Sequence, residues 1–329
     1  MSSNIKIDSS LPVDTVWFIT GCSSGIGKSL VLEILNNTSH SVIATARNTS
    51  SLAYIPKSGR VLTLALDVTS ASSISTALSS GLSTFKHIDV LVNNAGYGIL
   101  GDTETIPDDA ARKALETNFW GPVNLTKEAV RIFREVNGPK GGIIVQVSTM
   151  GGVVAFAGES FYHARFVLSI FYITYKAHVV IQNLTKNSKF ALEGFTESLS
   201  HEIPPSWNIQ FLIIEPGGVK TNFAGSSLAR FPPSPAYSDP SYATRQLEAF
   251  FETPKLHENM ADADKVASIM LEAVALKKKG ELGLRLPVGV DAWTYIKGKH
   301  EREVKEVEKV KELSWKTGNE AILKDIGFL

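Results

Sequence analysis

Short runs built almost wholly from apolar, β-forming residues recur along the first two-thirds of the chain. They are Val16-Trp17-Phe18-Ile19-Thr20, Ser41-Val42-Ile43-Ala44-Thr45, Val61-Leu62-Thr63-Leu64-Ala65-Leu66, Ile88-Asp89-Val90-Leu91-Val92, Ile143-Ile144-Val145-Gln146-Val147 and Ile209-Gln210-Phe211-Leu212-Ile213-Ile214. A strand with one wet face would alternate apolar with polar; a continuous apolar run predicts a strand covered on both faces. Between these runs lie stretches of helical periodicity, among them Lys28 to Leu35 and the long one from Pro107 to Val136. Strands alternating with helices predict right-handed βαβ units and a parallel sheet. The expected fold is α/β, a Rossmann-type doubly wound parallel sheet in a single domain with a core over residues 14–222.

The pattern changes after that core. Residues 222–260 are rich in proline, serine and aromatic side chains, including Phe231-Pro232-Pro233-Ser234-Pro235, and predict a covering loop, or lid, over the sheet's ligand end. In the last part, residues 261–329, Asp262 to Leu276 predicts a helix. Leu284-Arg285-Leu286-Pro287 predicts an edge strand, where proline is tolerated. Val304, Val307, Val310 and Leu313 then fall three apart in a charged run, which predicts an amphipathic helix packed on the body.

In a doubly wound sheet, ligands gather at the carboxyl ends of the strands, and the unusual turn residues of this chain all fall there. Gly21-Cys22-Ser23-Ser24-Gly25-Ile26-Gly27 joins the first strand to its helix. Glycine lets the backbone approach a pyrophosphate there, and the helix N-terminus offers free N–H groups and a positive dipole end. Cys22 inside this turn reads as a small tolerated side chain. Thr45 and Arg47 end the second run, where an acidic residue would bind ribose hydroxyls and an arginine accommodates a 2′-phosphate. Arg47 therefore points to NADP rather than NAD.

Composition narrows the setting. The 329 residues carry 33 basic and 33 acidic side chains, 43% hydrophobic residues and one cysteine, so the chain buries a full core without disulfides. Zero net charge, with no basic cluster interleaved with aromatics, predicts no nucleic-acid partner. The N-terminal residues show no apolar signal segment, and no stretch is long and apolar enough for a transmembrane segment, so a cytoplasmic protein is expected. There is no metal-ligand cluster and no internal repeat.

The chemistry converges on two separated half-motifs, Phe161-Tyr162-His163-Ala164 and Ser188-Lys189-Phe190-Ala191-Leu192-Glu193-Gly194. Joined, they read Tyr-His-Ala-Ser-Lys, with tyrosine and lysine four apart on one helical face. A nearby ammonium favours the phenolate and lowers the tyrosine pKa from about 10, which suits proton exchange with a substrate oxygen.

Thr20-Gly-x-x-x-Gly-Ile-Gly27, Asp67-Val68, Asn93-Asn94-Ala95-Gly96, the Tyr162 and Lys189 pair, and Pro216-Gly217 together resemble the short-chain dehydrogenase/reductase family, in the order and at the spacings of that family. The likeness is strongest to its 17β-hydroxysteroid and retinol dehydrogenase subgroup. The resemblance implies hydride transfer between a nicotinamide and a carbonyl or alcohol carbon of a small molecule. It places Gly21, Ser23, Ser24, Ile26 and Gly27 at the pyrophosphate, Asp67 and Val68 at the adenine, and Asn94, Ala95 and Gly96 at the ribose. Pro216, Gly217, Val219 and Thr221 fall by the nicotinamide, and Lys127 on the cofactor side. Tyr162 becomes the general acid/base, Lys189 its partner and ribose anchor, and Asn118 the relay residue at a helix irregularity. The hydroxyl that holds the substrate oxygen falls to Thr149 by spacing, where the family usually has serine, or to its neighbour Ser148. A homodimer is the family's expectation.

Residues 165–187 have no counterpart in that pattern, which resumes without loss at Ser188. The codons available to Arg165-Phe166-Val167 can hold a GT donor. Those for Asn183 to Ser188 can hold a branch site and an AG acceptor, in frame. The segment thus reads as a translated intron whose removal restores Tyr-His-Ala-Ser-Lys. Retained, it separates Lys189 from Tyr162, and the alternative is a non-catalytic NADP-binding protein. Within it, Tyr172-Ile-Thr-Tyr-Lys176 repeats the Tyr-x-x-x-Lys spacing without the flanking context, and reads as coincidence.

Overall fold

The structure is a computed structural model that describes residues 11–163, 188–253, 258–316, 318 and 320–325. The insertion read at 165–187, with Tyr172 and Lys176, lies outside the described residues. Seven parallel strands form the central sheet: β1 (Val16–Ile19), β2 (Ser41–Ala46), β3 (Val61–Ala65), β4 (Val90–Asn93), β6 (Gly142–Val147), β7 (Ile209–Pro216) and β11 (Arg285–Val288). Their order is β11-β7-β6-β4-β1-β2-β3, so the chain winds outward from β1 in both directions. The reversal between β1 and β4 opens a crevice at the carboxyl ends of the strands, where such sheets bind ligands.

Each apolar run becomes a strand because helices cover both faces. Trp17 and Ile19 point to one side with Val42, Ala44, Val90 and Val92, against α1 (Gly25–Asn37) and α8 (Ala263–Lys278). Val16 and Phe18 point to the other with Ile43, Leu91 and Ile144. There they meet α2 (Ala71–Phe85), α4 (Gly121–Glu135) and α6 (Lys189–Glu202). The period-two alternation of Cβ directions delivers one continuous run to two cores. Beneath β1, the Trp17 indole N–H donates to His40 Nδ1 at 3.1 Å, and burial holds that imidazole below its ordinary pKa.

The run from Pro107 to Val136 folds as α3 (Asp108–Leu115), one π-helical turn over Glu116–Trp120, and α4. Beyond β7 the segment after residue 222 is tied down rather than free-standing. β9 (Leu228–Arg230) pairs in parallel with β5 (Gly98–Leu100), and α7 (Ala243–Glu252) follows. A second two-stranded pairing joins β8 (Val219–Lys220) to β10 (Ala261–Asp262).

The tail departs from expectation. α9 (Val290–Trp315) buries only Ala292 and Ile296, and Val304, Val307, Val310 and Leu313 are 47–67% exposed. A strict spacing of three turns the apolar side chains through 300° per step, so they spread around half the helix instead of forming a stripe. Ion pairs one turn apart, Lys297 with Glu301 and Lys299 with Glu303, run along its outer surface. No helix among the described residues is long and apolar enough to cross a membrane.

Candidate active site

The crevice deepens into a cavity of about 1920 Å³ along the carboxyl ends of the strands. Its floor at one end is the glycine turn between β1 and α1. Gly21 has φ +71°, and a Cβ there would lie 2.8 Å from the Ala95 Cα. A Cβ on Gly27 would lie 2.5 Å from both Asn94 Nδ2 and Gly21 O. These positions require glycine because the turn is drawn tight against the loop after β4. Asn94 fastens that approach by donating from Nδ2 to Thr20 O at 2.8 Å and to Gly21 O at 3.1 Å. The Thr20 hydroxyl accepts from the backbone N–H groups of Asn94 and Ala95, each at 2.9 Å. Sequence reasoning quoted Thr20 only as the start of a motif; its role as the clasp between two ligand-bearing loops appears only when strands β1 and β4 lie side by side.

Of the residues expected at a cofactor, Gly21, Ser23, Ser24, Ile26, Arg47, Asp67, Val68, Asn94, Ala95 and Gly96 line this cavity. Pro216, Gly217, Val219 and Thr221 do so at its other wall. Gly27 and Thr45 sit just behind the lining, where the buried Thr45 hydroxyl donates to Ile19 O at 3.0 Å. Lys127 is not brought there: it is exposed on α4 and is absent from the cavity wall. The Asp67 carboxylate accepts from the Thr69 backbone N–H and hydroxyl. Those bonds first, and the Arg47 guanidinium after them, hold it below the usual carboxylate range. A Cβ on Gly217 would collide with the carboxylate of Asp291, which accepts from the Gly218 N–H at 2.7 Å. The first turn of α9 therefore props the loop after β7, a contact the sequence did not announce.

The reactive end is assembled from four elements. Asn118, wholly buried in the π turn, clamps the Tyr97 backbone from both sides. Its Oδ1 accepts from Tyr97 N at 3.0 Å, and its Nδ2 donates to Tyr97 O at 2.8 Å. A Cβ on Gly96 would come within 2.9 Å of Asn118 Oδ1 and 3.7 Å of Lys189 Nζ, so the bare backbone of Gly96 lies between them. Lys189, at the start of α6, donates to Val147 O at 2.8 Å; burial pushes its ammonium down to about 8, against the opposing pull of Glu193. Tyr162 lies on the short helix α5 (Ser160–His163), with its ring 5.6 Å from that of Phe223. The two halves of the split motif meet here, since the Ser188 hydroxyl donates to Tyr162 O at 3.3 Å.

The Tyr162 phenol is not lowered in this arrangement. Burial first, and the nearby Glu159 carboxylate second, push it above its ordinary value. Desolvation penalises the phenolate more than any neighbouring cation favours it. Ser148 and Thr149 then separate clearly. Ser148 is buried and donates to Glu193 Oε1 at 2.6 Å, so its proton is committed. Thr149 is half-buried on the cavity wall, with long bonds of 3.3 Å to Pro216 O and from Gly151 N. Met150, Phe156, Phe223, Leu247, Phe250 and Met260 extend the cavity away from these groups as an apolar wall.

Known proteins resemble this chain in sequence and in fold. A family model described as short chain dehydrogenase matches residues 15–165. Oxidoreductase calM of Penicillium decumbens is 36% identical over 308 residues, which cover 92% of this chain and 93% of that protein. Retinol dehydrogenase 8 of Homo sapiens is 33% identical over 220 residues, 64% of this chain and 61% of that one. The crystal structure of a short-chain dehydrogenase from Streptomyces avermitilis superposes with a TM-score of 0.73 at 29% identity, covering 92% of this chain and 100% of that one. With the parallel sheet, the glycine turn and relatives matched along nearly their whole length, the chain belongs to the short-chain dehydrogenase/reductase family.

Proposed function

We propose that the chain is an NADP-dependent oxidoreductase that transfers a hydride between nicotinamide and the carbonyl or secondary alcohol of an apolar small molecule. The observation that carries this reading is the convergence of Gly96, Lys189, Tyr162 and Thr149 on one cavity that also contains the glycine turn, with the buried Asn118 directly behind Gly96. The turn fits a dinucleotide, since the space a Cβ would fill at Gly21 and Gly27 is closed by backbone and the cavity begins directly above it. When bound, the cofactor supplies or accepts the hydride. Gly21, Ser23, Ser24 and Ile26 would cradle its pyrophosphate at the N-terminus of α1, with Gly27 behind them allowing the tight turn, and Asp67 and Val68 would flank the adenine. Asn94, Ala95 and Gly96 border the ribose side, and Pro216, Gly217, Val219 and Thr221 the nicotinamide.

Tyr162 exchanges a proton with the substrate oxygen at its phenolic oxygen. A phenol, protonated at neutral pH even at its ordinary pKa of about 10, can donate its proton to a carbonyl oxygen under reduction. Thr149 donates the hydrogen bond that holds the substrate oxygen, Lys189 supplies the neighbouring positive charge and anchors the ribose, and Asn118 keeps the π turn in place. Residues 222–260 are the proposed lid, which supplies Phe223, Leu247, Phe250 and Met260 to the apolar wall, and a homodimer is the proposed assembly.

The test is a panel of apolar aldehydes, ketones and secondary alcohols assayed with NADPH and NADH, preceded by cDNA sequencing across the codons for residues 155–200. A message lacking codons 165–187 gives an uninterrupted Tyr-His-Ala-Ser-Lys helix and the enzyme reading. A message that always retains them, with NADPH binding but no turnover on the panel, replaces it with a non-catalytic NADP-binding protein.

Two further outcomes are expected. Arg47 is exposed at the adenosine end, so Arg47→Ala loses a charge-assisted bond to the 2′-phosphate and raises KM for NADPH about 10- to 100-fold, with NADH nearly unaffected. Equal effects on both cofactors sink the NADP assignment. For pH, the Lys189 ammonium loses its proton as pH rises through about 8, so kcat/KM falls above that pH. Glu215 also titrates near 8, and Glu215→Gln must leave this limb in place if the lysine is its source.

A further inference from the structure

Behind the reactive corner lies a buried cluster of charge that hydride transfer does not itself use. Glu193 stands one turn after Lys189 on α6 and accepts the Ser148 hydroxyl at 2.6 Å. Its other oxygen lies 3.2 Å from Arg285 Nε on β11. The same Nε is 3.6 Å from Glu215 Oε1 on β7, and Arg285 Nη2 reaches Glu197 Oε2 at 3.0 Å. Both Glu215 carboxyl oxygens are buried without a protein donor of good geometry, yet that carboxyl abuts Glu193. Two carboxyls that meet in a dry interior cannot both ionise, so the pair keeps one proton between them. Burial, then Glu193, pushes Glu215 up to about 8, and burial raises Glu193 as well. The groups facing the pair are Lys189 and Glu197 on α6, with His201 beyond Glu197, Ser148 at the end of β6, and Arg285 on β11.

Gly152 closes the arrangement from the cavity side. A Cβ there would collide with Ser148 Oγ and Glu193 Oε1, so the turn after β6 lies directly on this hydrogen bond. This hydrogen bond, beside that of Lys189 Nζ to Val147 O, therefore links the strand end that carries Thr149 to the helix that carries Lys189.

We propose that Glu193 is a positioning residue for the reaction: its hydrogen bond to Ser148 locks the end of β6 against α6 and holds Thr149 and Lys189 in register across the cavity. This rests on the roles given above to Thr149 and Lys189. It makes Ser148 a tether rather than a donor to substrate, and it assigns a task to a glutamate outside the reacting groups.

The experiment compares Ser148→Ala, Glu193→Ala, the double variant and Glu193→Gln in the full chain. It reads kcat, KM, NADPH binding by fluorescence, and Tm from pH 6 to 9. Each alanine variant is expected to lower kcat about 10- to 30-fold, with NADPH affinity within about twofold of wild type. The double variant falls no further than the worse single, because both remove the same bond. Glu193→Gln returns kcat to within about threefold: its carbonyl still accepts from Ser148, while its amide N–H₂ can donate to Glu215 and gives up only the bond from Arg285 Nε, which does not reach Thr149. Its Tm also loses the pH dependence contributed by the shared proton.

Alanine effects that multiply, or a Glu193→Ala variant that loses Tm but keeps wild-type kcat, overturn the positioning role and leave the oxidoreductase reading standing. A wild type that binds NADPH and turns nothing over overturns both.

Discussion

Tyr162→Phe lowers kcat by about a thousandfold and leaves NADPH binding within a few-fold of wild type. The ring of Tyr162 is held by packing, against Phe223 and within the cluster that contains Ile99 and Phe161, so removing the hydroxyl leaves the aromatic shape in place. What disappears is the proton donor. General acid–base catalysis by a placed side chain contributes roughly 10²- to 10⁴-fold, and a protonated phenol is the donor a carbonyl reduction needs. The measurement is steady-state kinetics with the best carbonyl of the panel, beside a fluorescence titration with NADPH. A variant within tenfold of wild-type kcat removes Tyr162 from the chemistry. One that also loses NADPH binding shows instead that the change has disturbed the fold around α5.

The sheet was legible because each of its strands is a local statement. Val16-Trp17-Phe18-Ile19 has no polar position to place on a wet face, so it declares burial on both sides whatever its neighbours are. The edge strand was legible from Pro287, which lacks an N–H for a further neighbour and is tolerated where a strand has a partner on one side only. The glycine turn was legible because Gly21 and Gly27 mark backbone approaches that a side chain would block. Glu193 was not, because its partners Ser148, Glu215 and Arg285 come from three separate strands, and nothing local in Phe190-Ala191-Leu192-Glu193-Gly194 says that the carboxylate faces inward. The choice between Ser148 and Thr149 is open at the same point: spacing favours Thr149, and only the 2.6 Å bond to Glu193 shows the Ser148 proton committed elsewhere. The tail is a solvated helix as its charge predicts, but it does not pack those residues on the body: a spacing of three carries Val304 and Leu313 to opposite sides, so no single face can dock.

Asp102→Ala costs about 3–5 kcal/mol, because it strands a buried guanidinium. Asp102 follows β5, and its side chain is wholly buried. Oδ1 meets Arg245 Nη2 of α7 at 2.9 Å, and Oδ2 accepts the Ser234 N–H at 3.0 Å. One carboxylate thus fastens two points of the segment that follows β9. Arg245 keeps only Glu248, 3.0 Å from its Nε and itself partly exposed, once Asp102 is gone. The cost falls first on this segment rather than on the central sheet, because the clamp joins the segment to β5 alone. Hydrogen exchange should therefore rise at Leu228, Ala229 and Arg230 before it rises in β1 or β4, and KM for the apolar substrate should rise as its wall loosens. The control is Asp102→Leu with Arg245→Leu, which removes both charges and regains most of the loss, as buried pairs replaced by apolar residues do. Loss below about 1 kcal/mol in Asp102→Ala, or exchange that rises uniformly across the chain, would show that the pair does not clamp the segment. A clamp of this kind also explains how a proline-rich stretch with little regular structure keeps an apolar wall on the cavity: the Ser234 amide and the Arg245 guanidinium are both held by Asp102, and the helix that carries Arg245 brings Leu247 and Phe250 into the lining.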